Sequence, residues 1–425
     1  MPPIRFIHAA DLHLDAAFSG LSRDIPADFA ERLRTATFTA FRRLLDLCER
    51  ESPDFLLLAG DVYNQEDASV SAQLVLRDGF RRLESLSIPV FLVHGNHDPL
   101  ASRLRSVRWP GNVTVFGELP DAVPVFRKGE GTPLAIIHGA SHASGRETRN
   151  LAALFRRTEA CGLHVGLLHA TPGDADGVAR YAPFSQEDLK ASGMDYWALG
   201  HIHDRREVCR EPLAAYPGCT QGLHINEPGE KGCLLVTAEA RPDGGYAVRT
   251  SFRPLGPAVW KTLDMDLGGA ASLDELENRL RTGLDRAAAE VWSGCEMLLV
   301  RLRLQGRTEL DGLLRKGTTC AELADRLRED GSGVPRIWIK DIDVATRPCV
   351  ERGALLERED LLGEVFRLSE AARTASGLQA LREGPLAPLF AHARAGKALE
   401  PLTDEELARL LDDAESLCLD LLEND

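Results

Sequence analysis

Three observations predict a layered α/β protein with a second, smaller α/β domain and a helical C-terminal region. Short apolar, β-branched runs alternate with helical periodicity through the first 240 residues. The alternation restarts on a smaller scale near residue 256, and from about residue 355 only helical periodicity remains. Near-continuous apolar strands separated by amphipathic helices are the pattern of a sheet covered by helices on both faces.

In chain order, Ile4–Ala9 is the first strand. A helical stretch follows, with Phe29, Leu33, Ala36, Ala40, Phe41, Leu44 and Cys48 on one face at a 3.6-residue period. Further strands are predicted at Phe55–Ala59, Val90–His94, Leu134–Ile137, Val165–Leu168 and Tyr196–Leu199, most running directly into a small or polar turn. The Pro/Gly-rich stretch from Gly244 to Pro257 reads as a linker. Beyond it Leu263, Met265 and Leu267 alternate, and Ser272-Leu-Asp-Glu275 opens a helix as a capping box. Leu298, Val300, Leu302 and Leu304 alternate with Arg301, Arg303 and Gln305 as a half-buried strand, and Ile337, Ile339 and Ile342 mark another. The tail is broken at Gly377, Gly384-Pro385 and Gly396. Its last helix starts at the capping box Thr403-Asp-Glu-Glu406 and carries Leu407, Leu410, Leu411, Ala414, Leu417 and Leu421. The division expected is therefore 1–255, 256–346 and 347–425.

Lys+Arg 50 against Asp+Glu 65 gives a net charge of −15, the wrong sign for holding nucleic acid by bulk electrostatics. The distribution softens this. Residues 1–240 carry −6 and residues 241–400 carry −1, while residues 401–425 alone carry −8. Nine cysteines, an odd number with no Cys-x-x-Cys pair, argue against a disulfide framework or a thiolate zinc site. With no membrane-length apolar stretch and no signal-peptide block, a cytoplasmic protein without a membrane partner is expected.

The polar residues with ligand chemistry gather at predicted strand ends, where open α/β sheets place their sites. They are Asp11-Leu-His13, Gly60-Asp61, Gly95-Asn96-His97-Asp98, His169 and Gly200-His201-Ile-His203. Carboxylate, imidazole and amide groups are costly at the edge of a core unless paired, and a metal ion suits all three. Asp11, His13, Asp61, Asn96, His169, His201 and His203 are too many for one tetrahedral zinc, so two cations sharing Asp61 are expected. Two divalent ions roughly 3.5–4 Å apart can activate a hydroxide and stabilise both oxygens of a phosphoryl transfer. Mixed N/O ligation fits manganese, iron or zinc. His97, beside Asn96, has the place of a general acid, with Asp98 available to orient it. Arg103, Arg105 and Arg108, and the pair Arg205-Arg206, are candidate phosphate contacts, and His224 a candidate for the cleft. Each residue alone has a structural reading. Five matched elements in order do not.

These motifs resemble those of the calcineurin-like metallophosphoesterases. Phe6-Ile-His-Ala-Ala-Asp-Leu-His-Leu14 resembles the opening of SbcD-type DNA repair exonucleases. Tyr216-Pro-Gly-Cys-Thr-Gln-Gly-Leu-His224, followed by Glu227 and Lys231-Gly232, resembles the YhaO-like branch. The resemblance implies a two-sheet metallophosphoesterase sandwich flanked by helices, with a small α/β capping domain that helps hold DNA. It implies a two-metal phosphodiesterase that hydrolyses DNA phosphodiester bonds by attack of a metal-bound hydroxide, manganese being the first expectation. Asp11, His13, Asp61 and His203 would hold one ion; Asp61, Asn96, His169 and His201 the other; His97 would be the catalytic histidine. One departure is Asn64, which stands where better-known nuclease members carry a second active-site histidine, and it counts among the substrate contacts. The implied partners are DNA and an SbcC-like coiled-coil ATPase docked on the C-terminal helices, with pairing into a homodimer a further expectation. No Gly-x-x-x-x-Gly-Lys-Ser/Thr motif occurs, so ATP hydrolysis would belong to another chain. The alternatives are a metallophosphoesterase for small phosphodiesters or cyclic nucleotides, and a low-activity DNA-clamping subunit of an ATPase complex.

Overall fold

The computed structural model describes residues 2–21, 25–64, 70–101, 107–174, 179–242, 244–329, 333–349, 352–391 and 402–422. The first stretch of chain forms β1 (Ile4–Ala9), α1 (Ala27–Arg34), α2 (Ala36–Glu51), β2 (Phe55–Ala59), α3 (Val70–Ser85), β3 (Val90–Val93), β4 (Val113–Val115) and β5 (Asp121–Val125). There follow β6 (Ala135–Ala140), β7 (Leu163–His169), α4 (Gln186–Ala191), β8 (Tyr196–Gly200), β9 (Arg206–Arg210), β10 (Leu213–Tyr216), β11 (Gly232–Ala240) and β12 (Tyr246–Pro254).

These strands build two six-stranded sheets, ordered β12-β11-β1-β2-β3-β4 and β5-β6-β7-β8-β10-β9. Strand alternation explains why the sheets stack. Phe6, Leu57, Phe91 and Val93 of the first sheet meet Ile137, Val165, Tyr196 and Ala198 of the second in one buried cluster. The intervening residues Ile7, Leu56 and Leu58 turn outward and pack on Phe41 and Leu44 of α2 and on Leu76 and Phe80 of α3. On the other side Leu168, Trp197 and Leu199 are covered by Phe155 and by Leu189 of α4. The result is a helix–sheet–sheet–helix sandwich. One polar strut crosses it: the Tyr196 hydroxyl donates to His8 Nδ1 at 2.9 Å, and His8 Nε2 donates to the Leu199 carbonyl at 3.1 Å. Full burial holds the His8 imidazole neutral, lowered to about 3.

Within each sheet the central strands β1, β2, β3 and β6, β7, β8 run parallel. Their C-terminal ends carry the loops with ligand-type residues, as expected of open parallel sheets. Two predicted features differ. The helical stretch after β1 is two helices, because Thr35 leaves helical geometry with φ −98° and ψ 3°. The stretch from Gly244 to Pro257 is not a linker: Tyr246–Pro254 is a full edge strand, paired antiparallel to β11 from Tyr246 to Pro254. Its Tyr246, Val248 and Phe252 alternate toward the inter-sheet core.

The remaining chain forms β13 (Ala258–Asp266), α5 (Leu273–Glu290), β14 (Met297–Gln305), β15 (Arg307–Thr308), α6 (Asp311–Leu314), α7 (Thr319–Glu329), β16 (Arg336–Val344) and β17 (Arg347–Pro348). After these come α8 (Arg352–Leu356), α9 (Leu361–Ala372), α10 (Ala375–Glu383), α11 (Ala387–Ala391) and α12 (Asp404–Leu422). β13, β14 and β16 make a three-stranded sheet in that order. The chain divides into two compact units. One comprises Met1–Asp266, Asp274–Leu304 and Arg315–Ala345; the other comprises Leu267–Leu273, Gln305–Leu314 and Thr346–Asp425. In the second unit Leu355, Leu362, Phe366 and Leu419 form the core, and Arg352 and Arg373 both reach the buried carboxylate of Glu415. Gly377 does not break the tail; its N–H meets the Thr374 cap at the start of α10. The predicted break at Gly396 lies outside the described residues. Among the described residues no helix is long and apolar enough to cross a membrane.

Candidate metal centre

The parallel pairing of β1 and β2 continues past both strands and brings their loops together. Asp11 N–H donates to the Gly60 carbonyl at 3.1 Å, His13 N–H to that of Asp61 at 3.0 Å and Leu14 N–H to that of Val62 at 3.1 Å. These loops are strained. Asp11, His13, Asp61 and His201 have φ of 51°, 41°, 49° and 103°, a region that costs non-glycine residues on the order of 1–3 kcal/mol each. The bonds just named hold three of them, and both Asp11 carboxylate oxygens accept the His201 N–H at 3.1 Å. Space is equally tight. A Cβ on Gly95 would lie 2.3 Å from Asp61 Oδ1 and 2.8 Å from the His169 ring, so only glycine lets this loop pass.

The side chains converge in two groups, Asp11, His13 and His203 in one, and Asp61, His169 and His201 in the other, with donor atoms within 4.8 Å of one another in each. Asp61 stands between them: its Oδ2 is 3.9 Å from His13 Nε2 and 3.3 Å from His169 Nε2. Asn96 joins the second group, its Oδ1 3.0 Å from His169 Nε2 and 3.2 Å from His201 Nδ1. All seven predicted ligands are thus brought together.

The outer nitrogens of the imidazoles decide what the inner ones offer. His13 Nδ1 donates to Asn64 Oδ1 at 2.6 Å, His203 Nδ1 to Glu227 Oε1 at 2.5 Å, His169 Nδ1 to the Ala59 carbonyl at 2.9 Å and His201 Nε2 to the Ala179 carbonyl at 3.1 Å. Carbonyl, amide and carboxylate oxygens only accept, so each outer nitrogen carries a proton and, in the neutral ring, each inner one is a lone pair. His13 Nε2 then faces His203 Nε2 at 3.2 Å, and two more lone pairs face the Asn96 oxygen. Acceptors at that separation repel unless a proton or a metal ion lies between them. The donor set therefore fits two divalent ions with mixed N/O ligands.

Charge tells the same story. Burial lowers His13 to about 4 and His201 to about 3, keeping both neutral. Burial raises the Asp11 carboxyl to about 6, partly offset by His169 and His203. Burial opposes ionisation of Asp61 too, but the charge and hydrogen bond of His169 outweigh it and hold Asp61 ionised. Burial would lower His169 as well; the Asp61 charge and hydrogen bond instead lift it to about 9, a proton standing where a metal ion would serve.

His97 is exposed, its backbone N–H held by Asp61 Oδ1 at 2.9 Å. Its ring meets that of His13 edge-on at 5.1 Å. The other predicted site residues fall differently. Asp98 does not orient His97: its buried carboxylate accepts from Gly95 N–H at 2.7 Å and Val62 N–H at 3.0 Å and lies 3.3 Å from His94 Nδ1. It ties the second and third ligand loops together. The oxygen of Asn64, expected on substrate, orients His13 instead. His224 stands apart from the ligand groups, its Nδ1 accepting from Asn226 N–H at 3.1 Å. Arg205 stacks over the Phe252 ring at 4.0 Å. Arg103 and Arg105 lie outside the described residues. Sequence reasoning gave Glu227 no task beyond its place in the resemblance; it holds His203 and also accepts from Leu223 N–H at 2.6 Å. Lys231, buried, donates to the His203 carbonyl at 3.2 Å and to Asp204 at 3.1 Å, fastening the same loop.

Comparison with known proteins gives the family. The profile of the calcineurin-like phosphoesterases matches residues 4–205. That of the middle domain of metallophosphoesterase YhaO matches residues 260–347. The chain is 34% identical to the metallophosphoesterase YhaO of Bacillus subtilis over 90% of this chain and 91% of that one. It is 27% identical to the DNA double-strand break repair protein Mre11 of Aeropyrum pernix, over 68% of this chain and 69% of the other. A dimetal phosphatase from Danio rerio has a TM-score of 0.33 at 13% identity, over 59% of this chain and 99% of that one.

Proposed function

The chain belongs to the calcineurin-like metallophosphoesterases, in the YhaO-like group, and from that premise we propose that it is a two-metal phosphodiesterase that cleaves DNA. The family makes it a hydrolase of phosphate esters that uses divalent metal ions. The observation that carries the reading is the convergence of four inward-facing imidazole nitrogens around Asp61. Asp11, His13, Asp61 and His203 would hold one ion, and Asp61, Asn96, His169 and His201 the other. When bound, the two ions supply positive charge for the phosphoryl group and activate the attacking water. Manganese suits this ligand set, as do iron and zinc.

The chain's own residues do the rest. Glu227, Asn64 and the Ala59 and Ala179 carbonyls fix the ring orientations of the four histidines. His97 is locked at its backbone and open at its ring, and it gives its proton to the departing sugar oxygen. DNA as substrate is supported by the likeness to Mre11, named for repair of DNA double-strand breaks. An ATPase partner with coiled coils is supported by the exposed Leu410, Leu417 and Leu421 of α12. The division into 1–255, 256–346 and 347–425 is supported by the match of the middle-domain profile. Asn64, where a second histidine would stand, lends weight to the competing reading, a low-activity DNA-clamping subunit of an ATPase complex.

A nuclease assay on single- and double-stranded ends with a metal screen tests this. Degradation dependent on manganese and lost in Asp61→Ala and His97→Ala is expected. Turnover of a chromogenic phosphodiester with none of DNA would overturn the DNA reading.

A further inference from the structure

The strands β9 and β12 are edge strands, one of each sheet. Both lie at the metal end of the sandwich on the same side. β9 begins at Arg206, three residues after His203, and β12 ends at Pro254 opposite Gly232, where β11 begins. The opening there is a cavity of about 250 Å³, and Arg205, Arg206, Glu207, Tyr216, Thr250 and Phe252 are among its walls.

Two features of this opening bear on what it can bind. First, both arginines rest on aromatic faces: Arg205 lies 4.0 Å over Phe252 and Arg206 5.6 Å over Tyr216. The Tyr216 ring is fully buried and fixed, its hydroxyl donating to the carbonyl of Ala170 at 2.6 Å, next to the ligand His169. A guanidinium stacked this way keeps its N–H fork free at the rim and loses little freedom when it binds. Second, neither arginine has a carboxylate partner among the described residues. Elsewhere Arg82 pairs with Asp46, Arg127 with Asp54 and Arg301 with Asp341. Glu207 supplies one negative charge to the wall against two positive ones, so the cavity is cationic in a chain whose net charge is −15.

We propose that this cavity binds a phosphate of a nucleic-acid strand adjoining the phosphodiester at the metals. The proposal rests on the DNA reading above and adds the residues that hold the strand beside the scissile bond. Two planar forks side by side match the oxygens of a phosphodiester, and they read no sequence. The placement also answers how a protein of net negative charge grips a polyanion: locally, at the exit of the ligand loop, rather than through its overall field.

The test uses the full chain loaded with metal and a fluorescent single-stranded oligonucleotide whose linkages resist hydrolysis. Anisotropy is read across a salt series. Arg205→Gln/Arg206→Gln is expected to weaken binding by roughly tenfold or more. Its plot of log affinity against log salt should be shallower by about 0.7 for each phosphate that the variant no longer neutralises. Metal content and melting temperature are expected to stay at wild-type values. Arg249→Gln/Arg253→Gln removes the same charge from the opposite face of β12, away from Thr250 and Phe252, and is expected to weaken binding much less. If the first variant binds with wild-type affinity and salt slope, or if both variants weaken binding equally, the cavity is not a phosphate site and the DNA reading stands. If the wild type binds no strand, both fall.

Discussion

Asp61 shows how closely this centre depends on single residues. One carboxylate faces His13 and His169, holds the backbone of His97 and is itself held in a left-handed turn. Asp61→Ala is therefore expected to bind less than the full complement of metal, read as ions per chain by elemental analysis. His97→Ala is expected to keep its metal while kcat falls by about 10²- to 10⁴-fold. Glu227→Gln should weaken metal affinity by about 10- to 100-fold, because the ring of His203 loses its charged anchor. Gly95→Ala puts a methyl against Asp61 and His169, and is expected to lower stability by about 1–3 kcal/mol in a denaturant melt and to reduce metal content with it. The seven candidate ligands were readable because each lies at the end of a strand or within four residues beyond it. Their orienting partners were not, since Glu227, Asn64 and Ala179 reach their histidines from distant parts of the chain. Asp98 was misread for the opposite reason. Adjacency to His97 suggested a pair, yet its side chain turns back to Gly95 and Val62.

At the scale of elements, strands with unbroken apolar runs declared themselves, and β1 and β2 have the predicted limits. β12 did not, because Gly244, Gly245 and Pro254 at its ends outweighed the alternation of Tyr246, Val248 and Phe252 between them. Such an edge strand tolerates a proline at its end, where no ladder donor is needed. The capping box at α12 was readable, and its bonds are present: Glu406 N–H donates to Thr403 Oγ1 at 3.3 Å and Thr403 N–H to Glu406 Oε2 at 2.7 Å. Thr403→Ala is expected to cost about 0.5–2 kcal/mol of helix stability, visible as a lower melting temperature of the second unit. Deleting residues 401–425 removes α12 and its packing on α9. Metal content and hydrolysis of a chromogenic ester are expected to survive that deletion; their loss would show that the tail supports the centre.

For the whole molecule, the charge of −15 divides between an acidic tail and a body whose central carboxylates are buried candidate ligands. Asp11 and Asp61 count in that sum as if they were surface groups, yet each is 1% exposed and positioned for cations. Acid should weaken the fold through histidines outside the centre as well. Burial lowers His8 to about 3 and His138 to about 4. The unfolded chain takes up a proton on each near pH 6.5, so between that pH and 4 it binds more protons than the folded one. Stability is expected to fall as pH falls through this window, by about 1.4 kcal/mol per pH unit for each histidine. Melting temperatures across pH 7 to 4 with a chelator present would show it.

At the heart of the centre, one carboxylate, Asp61, would organise two cations. Anomalous scattering from crystals grown with manganese tests it most directly. Two peaks roughly 3.5–4 Å apart, both beside Asp61, are expected. A single peak, or two peaks away from Asp61, would contradict the account.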